Sequence, residues 1–342
     1  MKKKNVLELL NINLQLFEEP NTNVTTDAGM SGEMKTFYED TLIDEAQPNL
    51  IHDQFGDQYP IPKGGGKVIE FRKYDSLPKA TTPLTEGVTP NGKKLNMSTI
   101  TAEVDQYGDY VTLSDMLELT AIDNNVVQAT KILGSQSGRT LDTVTREVLA
   151  GGTNVLYAPK IADGAETVVT SRKSLTKDCK LTVDLCYQVA TVLKTALAPL
   201  KDGTYIGIIH PYVAYDLMRS DEWISVHKYA TPENIYEGEI GKIANIRFVQ
   251  STEAKIWKDS TCPSGLAVFG TIFLGAHAYG VTQIQGGGLQ HIVKQLGSGD
   301  DPLNQRGTVG WKATKVAKRL VEQYMIRVES CSERYSSLAE AN

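Results

Sequence analysis

The most constraining feature of this sequence is a long segment, residues 57–110, in which two extended stretches flank a proline-rich centre. The run KVIEFRKY begins at Lys67 after three consecutive glycines, and apolar and polar residues alternate again over 100–105. Between them, residues 78–92 contain three prolines, two glycines and four threonines. Asn91-Gly92 is the strongest short hairpin-turn signal in this centre. We therefore predict a long β-hairpin.

This hairpin is too long to lie within one compact subunit. Two limbs of about 20 residues reach up to ~65 Å, whereas a compact chain of this length has a radius of gyration of only ~20 Å. The polar tip has little apolar surface to bury against its own subunit. We therefore expect the hairpin to project from the body and to contact another molecule.

The clearest helix is predicted over residues 123–150, about 40 Å long. Asp123 is its expected N-cap, and Gly151-Gly152 ends it. Gly134 and Gly138 weaken it by up to ~1 kcal/mol each relative to alanine. The side chains expected on its apolar stripe are Val126, Leu133, Leu141, Val144 and Val148. We interpret it as one long helix packed along a sheet.

The chain after residue 180 has mixed α/β patterning. Thr182 is the expected cap of a helix that Pro199 stops, with its apolar face made by Leu185, Val189, Val192, Leu193 and Leu197. TYIGIIH (204–210) predicts a buried strand, and Pro211 then opens a short helix for which His210 is the expected cap. Further strands are predicted at 245–250, in LAVF and TIFLGA, at 290–295 and within 308–329.

The amino-terminal residues 1–33 form a predicted arm, in which Ile12, Leu14 and Leu16 alternate with polar residues. Such an isolated strand has to dock on the body or on another molecule. Residues 1–17 imitate a signal peptide but lack an uninterrupted apolar run and a cleavage site. The charge-free stretch 260–293 is punctuated by glycines and fits short buried strands better than a membrane helix.

Composition excludes several classes of protein. The 342 residues hold 35 Lys+Arg against 41 Asp+Glu, a net charge of −6, which excludes a strongly basic nucleic-acid binder. Hydrophobic content of 41% and charged content of 22% exclude a mostly disordered chain. The four cysteines show neither a disulfide framework nor zinc-ligand spacing, and we interpret them as free thiols in a reducing compartment. They are Cys179, Cys186, Cys262 and Cys331.

No catalytic constellation emerges from the motifs. The sequence lacks a phosphate-binding loop, a dinucleotide fingerprint and HExxH, and residues 134–138 (GSQSG) have glutamine where a nucleophile elbow needs serine. We predict no cofactor and no metal site. A basic patch of Lys312, Lys315, Lys318 and Arg319 is interpreted as a solvated face, with phosphate contact as the alternative. The tryptophans, Trp223, Trp257 and Trp311, are interpreted as core or interface residues.

Nine short motifs, each weak alone, occur in an order and spacing that resemble a known family. They are KTFY (35–38), PNLIHDQFG (48–56), IEFRKY (69–74), TTPLTEGVTP (81–90), QYGDYVTLSD (106–115), LDTVTREVL (141–149), GTNVLYA (152–158), HP (210–211) and PLNQRGTVGWK (302–312). In these motifs the sequence resembles tailed-bacteriophage major capsid proteins, in the subfamily typified by the coliphage N-four capsid subunit. The resemblance covers roughly residues 34–328.

The resemblance implies an α+β class and the Johnson fold, with a long spine helix, long β-strands, a projecting extended loop and an axial α/β domain. The implied organisation is an arm (1–33), an N-terminal peripheral segment (34–66), the extended loop (67–110), a peripheral domain with the spine helix (111–177), the axial domain (178–300) and return strands with a tail (301–342). Contact with neighbouring subunits is then expected at the loop tip, at Lys79, Pro83, Leu84, Glu86, Gly87, Pro90, Asn91 and Gly92.

The implied function is a major capsid protein, not an enzyme. It would self-assemble into hexamers and pentamers of an icosahedral virion shell around double-stranded DNA, with only weak non-specific DNA contact and no membrane. A portal is an implied partner. Only about 33 residues precede the match, so a separate scaffolding protein, or none, is expected rather than a fused one. Assembly would take place in the bacterial host cytoplasm. Autocatalytic crosslinking through Lys79, Lys93 or Lys94 is disfavoured because no motif marks it.

Two alternatives remain open on the sequence. The first is an encapsulin-like protein compartment of the same fold. The second is an α/β enzyme with an unrecognised site in 178–300, which clustered titratable residues with shifted pKa values in one pocket would favour.

Overall fold

The computed structural model of the protein describes residues 22–23, 51–74, 77–89, 91–121, 125–162, 165–227, 239–296 and 301–342. The chain divides into two compact units. Of the described residues, the smaller unit contains 22–23, 108–121, 125–134, 291–296 and 301–311, and the larger unit contains the others. The predicted strand at Ile12–Leu16 and the predicted cap Asp123 lie outside the described residues.

Five α-helices are present in the described part of the chain. They are α1 (Asp115–Thr120), α2 (Asn125–Ala150), α3 (Val183–Thr195), α4 (Pro211–Met218) and α5 (Asp221–His227). Two short 3-10 turns lie at Arg172–Ser174 and Glu322–Tyr324. The predicted long helix is confirmed as α2, whose 26 residues span about 39 Å.

The strands of the described residues fall into four sheets. They are β1 (Thr22–Asn23), β2 (Asp57–Gln58), β3 (Val68–Tyr74), β4 (Met97–Glu103), β5 (Asp105–Ser114), β6 (Val155–Tyr157), β7 (Lys160–Ala162), β8 (Ala165–Thr167), β9 (Tyr205–Ile209), β10 (Glu239–Ile243), β11 (Ile246–Gln250), β12 (Ile256–Trp257), β13 (Val268–Leu274), β14 (Tyr279–Thr282), β15 (Gln290–Lys294), β16 (Arg306–Arg319) and β17 (Met325–Ser330). Strands β3 and β4 form one two-stranded sheet, and β7 and β8 form another.

A seven-stranded sheet in the larger unit carries the main core. Its order is β10-β11-β9-β13-β17-β6, with β12 also paired to β13. Every residue of β9 and β13 is buried, as expected for near-continuous apolar strands covered on both faces. Two of its strands, β6 and β17, lie outside the residue range 178–300 that is predicted for the axial domain.

Helices α3 and α4 begin at the predicted caps. The Thr182 side chain accepts a hydrogen bond from the Leu185 amide at 3.2 Å, and Nδ1 of His210 accepts one from the Tyr212 amide at 3.1 Å. Both cap predictions are confirmed. The apolar face of α3 was predicted to include Val192 and Leu197, and both predictions are wrong. Val192 is exposed. The helix ends at Thr195, and Leu197 is left-handed (φ 55°) and 83% exposed.

A second sheet has six strands in the order β1-β5-β16-β14-β2, with β15 also paired to β16. In the smaller unit, Thr22 and Asn23 pair in parallel with Thr112 and Leu113. Part of the amino-terminal arm therefore docks on its own subunit. In the larger unit, β14 pairs antiparallel with the end of β16 and parallel with β2.

Candidate assembly surfaces

The hairpin predicted from residues 67–110 is present, with shorter paired limbs. Strands β3 and β4 run antiparallel from Val68 opposite Glu103 to Tyr74 opposite Met97. This register centres the hairpin between residues 85 and 86. The amide of Val88 donates to the Thr85 carbonyl at 3.1 Å, and Gly87 takes a left-handed φ of 75°. The turn is therefore at Thr85–Val88.

The prediction of a turn at Asn91-Gly92 is wrong. Strand pairing fixes the position of the turn, and it leaves these two residues on the return limb. A two-residue type I′ turn needs positive φ at both central positions, and Gly92 does not have it. The glycine that supplies the left-handed conformation is Gly87, where no neighbouring atom lies within 4 Å of the position that a β-carbon would take.

One face of the hairpin root packs on the body of the larger unit. Ile69, Phe71, Ile100 and Ala102 are buried or half-buried on this face. The Phe71 ring meets Tyr59 edge-on, with ring centroids 5.2 Å apart. A β-carbon on Gly280 would lie 3.4 Å from Phe71 and 3.3 Å from Tyr59, so the glycine allows the close approach of these rings. The root is thus held, and the other face is left open.

The loop beyond the paired strands is exposed at every described position from 77 to 96. Leu84 is 77% exposed and Val88 62%. Within the described chain, the charged side chains of this loop make no hydrogen bond or ion pair; they are Lys79, Glu86, Lys93 and Lys94. The candidate contact residues Lys79, Pro83, Leu84, Glu86, Gly87, Asn91 and Gly92 are all exposed, and Pro90 lies outside the described residues. The loop is available to another molecule.

The buried side of α2 is far more polar than the predicted stripe. Leu133 and Leu141 are buried as expected, whereas Val126, Val144 and Val148 are only half-buried. Buried polar or charged residues of the same helix are Asn125, Ser135, Ser137, Asp142, Thr145 and Arg146. This face therefore has to be satisfied by hydrogen bonds from other segments.

His52 and Asp53 form some of these hydrogen bonds with α2. Asp142 accepts from the His52 amide at 2.8 Å and contacts His52 Nδ1 at 2.6 Å. The Thr145 hydroxyl donates to Asp53 at 2.6 Å, and Asp53 also pairs with Lys315. Nε2 of His52 is buried without a partner in the described chain. Since a carboxylate only accepts hydrogen bonds, the contact with Asp142 places a ring proton of His52 on Nδ1.

Three cations from β16 and β17 bond the carbonyls of α2, and we call them the cation cluster: Lys315, Arg319 and Arg327. Lys315 donates to the Leu141 carbonyl at 2.8 Å, and Arg319 donates to that of Val148 at 2.6 Å. Arg327 bonds the carbonyls of Ala150 and, at 3.0 Å, Gly152. The carbonyls of Val148 and Ala150 lie in the last turn of α2, where positive charge satisfies free carbonyls and the helix dipole together. The Leu141 carbonyl lies further inside the helix.

Glu329 bonds Arg327 of the cation cluster and a further arginine, Arg172. It is fully buried, receives two bonds from Arg172 at 2.7 and 2.6 Å and accepts one from Arg327 at 3.0 Å. Burial lowers the pKa of the Arg327 guanidinium, and Glu329 opposes that shift. Burial likewise lowers the pKa of Lys315, and Asp53 opposes the shift. Both arginines also lie over the Trp257 ring.

The interpretation of a single solvated basic patch at 312–319 is wrong. Lys312 and Lys318 are exposed, but Lys315 is buried against Asp53. Arg319 pairs with Glu322 at 2.8 Å. The alternation of the strand puts these side chains on different faces. They therefore offer no common phosphate surface.

A cavity of about 860 Å³ in the larger unit is the largest of those described, and its lining includes Lys180, Asp216, Arg219 and Glu333. The resolved pKa shift in its lining is that of Glu333, lowered by the hydrogen bond from Lys180. This is an ordinary ion pair and gives no support to an enzyme site. Across the described residues, no cluster of histidine, cysteine or acidic side chains has the geometry to hold a metal ion. None of the described helices is long and apolar enough to cross a bilayer.

All four cysteines are free and buried. Burial raises the pKa of the Cys186 and Cys331 thiols to about 12. Trp223 and Trp311 are buried and Trp257 is half-buried, in agreement with the interpretation of the tryptophans as core or interface residues. The Cys186 and Cys331 thiols, whose pKa values are raised, are therefore protonated and unreactive at neutral pH.

Comparison with known proteins gives one family and one fold. The model of the family described as phage capsid protein matches residues 100–318. The capsid of Ralstonia phage GP4 is 15% identical, with a TM-score of 0.68 over 92% of this chain and 99% of that one. The capsid of cyanophage P-SCSP1u is 14% identical, with a TM-score of 0.64 over 87% and 93%.

The same fold occurs in an encapsulin. The holo-SrpI encapsulin complex from Synechococcus elongatus is 6% identical, with a TM-score of 0.58 over 93% of this chain and 100% of that one. No curated protein matches the sequence. The chain therefore shares the fold of these shell subunits, as the sequence motifs predicted.

Proposed function

The chain belongs to the phage capsid protein family and is a major capsid protein, and from that premise we propose that it forms the hexamers and pentamers of an icosahedral shell around double-stranded DNA. The observation that carries the proposal is the loop 77–96, which exposes apolar and charged side chains without partners in its own described chain. Such a loop contributes little to its own subunit and a great deal to a contact repeated over a shell.

The assembly we propose is held by many modest contacts. Standard interfaces bury about 800 Å² per partner, and linking several of them raises the overall affinity far above that of each. The net charge of −6 supports only weak, non-specific contact with packaged DNA. A portal and a separate scaffolding protein complete the proposed partners. Assembly would take place in the host cytoplasm and the product would be the virion capsid.

The proposed division of labour follows the resemblance. Residues 67–110 would be the extended loop, 111–177 the peripheral domain with α2 as its spine helix, 178–300 the axial domain and 301–342 the return strands. Residues 1–33 and 34–66 would be the arm and the N-terminal peripheral segment. The tip residues Lys79, Pro83, Leu84, Glu86, Gly87, Pro90, Asn91 and Gly92 are proposed contacts with a neighbouring subunit. The narrower placement beside the coliphage N-four capsid subunit stays a prediction.

An encapsulin-like compartment is the second candidate, favoured by the likeness to the SrpI complex. The two functions differ in what the shell encloses. Shells purified from the phage-infected host would contain nuclease-protected double-stranded DNA if the first proposal holds. Shells filled with protein and free of DNA would favour the second.

Electron microscopy of the purified protein at increasing concentration tests assembly itself. We expect closed shells or hexameric rings, which sedimentation would resolve from subunits. A monodisperse monomer or dimer under every condition, including with a co-expressed scaffolding protein, would contradict the proposed function.

A further inference from the structure

The two outer edges of the β3–β4 hairpin differ in charge. Strand β3 (VIEFRKY) carries Glu70, Arg72 and Lys73, whereas β4 (MSTITAE) carries only Glu103, and that carboxylate is paired with Lys67. Neither strand pairs with a third strand in the described part of the chain. Charged side chains protect an exposed edge from pairing with another strand. The β4 edge lacks this protection.

The register shows which backbone groups the β4 edge presents. The Val104 amide donates to the Lys67 carbonyl at 2.8 Å, so the ladder bonds continue at every second pair. The intervening pairs include Glu70 opposite Thr101 and Arg72 opposite Thr99. Residues of such pairs direct their N–H and C=O groups away from the hairpin. Thr99 and Thr101 therefore present free donors and acceptors in an uncharged, β-branched stretch.

We propose that the β4 edge, centred on Thr99 and Thr101, pairs through main-chain hydrogen bonds with an extended segment of a second copy of this chain. The inference rests on the proposed function, because it names the surface through which neighbouring subunits meet. β-strand addition of this kind takes its affinity from the backbone and its specificity from side chains on alternate positions.

The length of the β4 edge restricts the kind of partner that can pair with it. Seven residues present an edge about 23 Å long, far too little surface for the ~800 Å² per partner of a stable binary complex. The occupant must be held in place by other contacts, as a second copy within a shell is. The edge also leads directly into the loop 77–96, the surface proposed above to meet a neighbouring subunit.

Two proline substitutions on opposite edges of the same residue pair test the proposal. Thr101→Pro removes one outward N–H from β4, and Glu70→Pro removes one from β3, while the ladder between the strands keeps its bonds in both variants. We expect the Thr101→Pro variant to lose at least tenfold in shell yield by sedimentation and the Glu70→Pro variant to stay within twofold of the unmodified protein. Equal yields from the two variants would overturn the proposal.

Two further measurements decide the case in which a proline unfolds the subunit. Thr101→Lys adds an edge charge without changing the backbone, and we expect it to reduce shell yield as well. In the unmodified protein, amides of 97–103 should exchange at least tenfold more slowly in shells than in subunits, whereas those of 68–74 should change little. Unchanged exchange over 97–103 in well-formed shells would refute the edge contact alone. Failure of the unmodified protein to form shells would instead refute the proposed function.

Discussion

The loop 77–96 and the carboxyl-terminal half of α2 use their polar groups in opposite ways. Around α2, the charges of Asp142 and Lys315 are buried, that of Arg327 is half-buried, and all three are bonded within the subunit. In the loop, Lys79 and Glu86 are exposed and have no partner in the described chain. The first region stabilises the fold of one subunit. The second makes no such contribution, and we assign it to contact with another subunit. Mutations in the two regions should therefore separate stability from assembly.

Glu329 is the position at which the largest loss of stability is expected. Glu329→Ala leaves Arg172 and Arg327 half-buried without their shared carboxylate, and breaking a buried ion pair from one side costs about 3–5 kcal/mol. Denaturant unfolding of the purified subunit measures this. The matched control is Glu333→Ala, which removes an exposed pair with Lys180 and should change stability very little. Similar losses in both variants would contradict the special role of the buried site.

The cation cluster also shows where sequence patterns stop being informative. The helix, the buried strand β9 and the caps Thr182 and His210 were predictable because propensity, periodicity and capping act over a few residues. The polar face of α2 was not, because the partners of Asp142 and of the Leu141 carbonyl, His52 and Lys315, lie 90 and 174 residues away in the chain. Asp142 on its own resembles any solvated helix residue.

The hairpin also shows where prediction from local sequence patterns fails. Its existence followed from alternation and composition, but its turn did not, because the register of β3 on β4 overrides the local preference of Asn91-Gly92. The candidate tip residues were predictable as exposed residues. What they touch depends on a second molecule, which the pattern of a single chain does not specify.

His210 gives the next largest expected effect, and it depends on pH. Burial lowers its pKa from 6.5 to about 4, so the unfolded chain takes up a proton more readily than the native one. Stability is therefore unaffected above pH 6.5 and falls by about 3 kcal/mol as the pH drops from 6.5 to 4. His210→Asn keeps a capping acceptor without the titration, and its stability should fall less over this window. Parallel pH profiles of unfolding free energy would count against this account.

Replacing residues 78–92 by a short Gly-Ser turn should cost the subunit less than about 1–2 kcal/mol, because the segment buries almost nothing. Shell yield should nevertheless fall sharply, since the loss recurs at every copy of the contact. A second variant with a Gly-Ser loop of the original length separates the effect of side chains from that of reach. If either variant unfolds the subunit, or if both assemble normally, the loop is not the assembly surface.

The smallest effect compares Gly134, inside α2, with Gly151, the residue that follows its last residue. Gly134 has no heavy atom within 4 Å of an added β-carbon, so Gly134→Ala should raise the free energy of unfolding by up to about 1 kcal/mol through helix propensity alone. Gly151 follows the helix within the cation cluster, where a β-carbon would lie 3.0 Å from Arg319 Nη1 and 3.3 Å from the Glu147 carbonyl. Gly151→Ala should gain nothing or lose stability, because Arg319 must shift from the Val148 carbonyl to make room. Denaturant unfolding of the two variants side by side measures the difference. An equal gain in both would mean that the cation cluster tolerates displacement and does not fix the end of the helix.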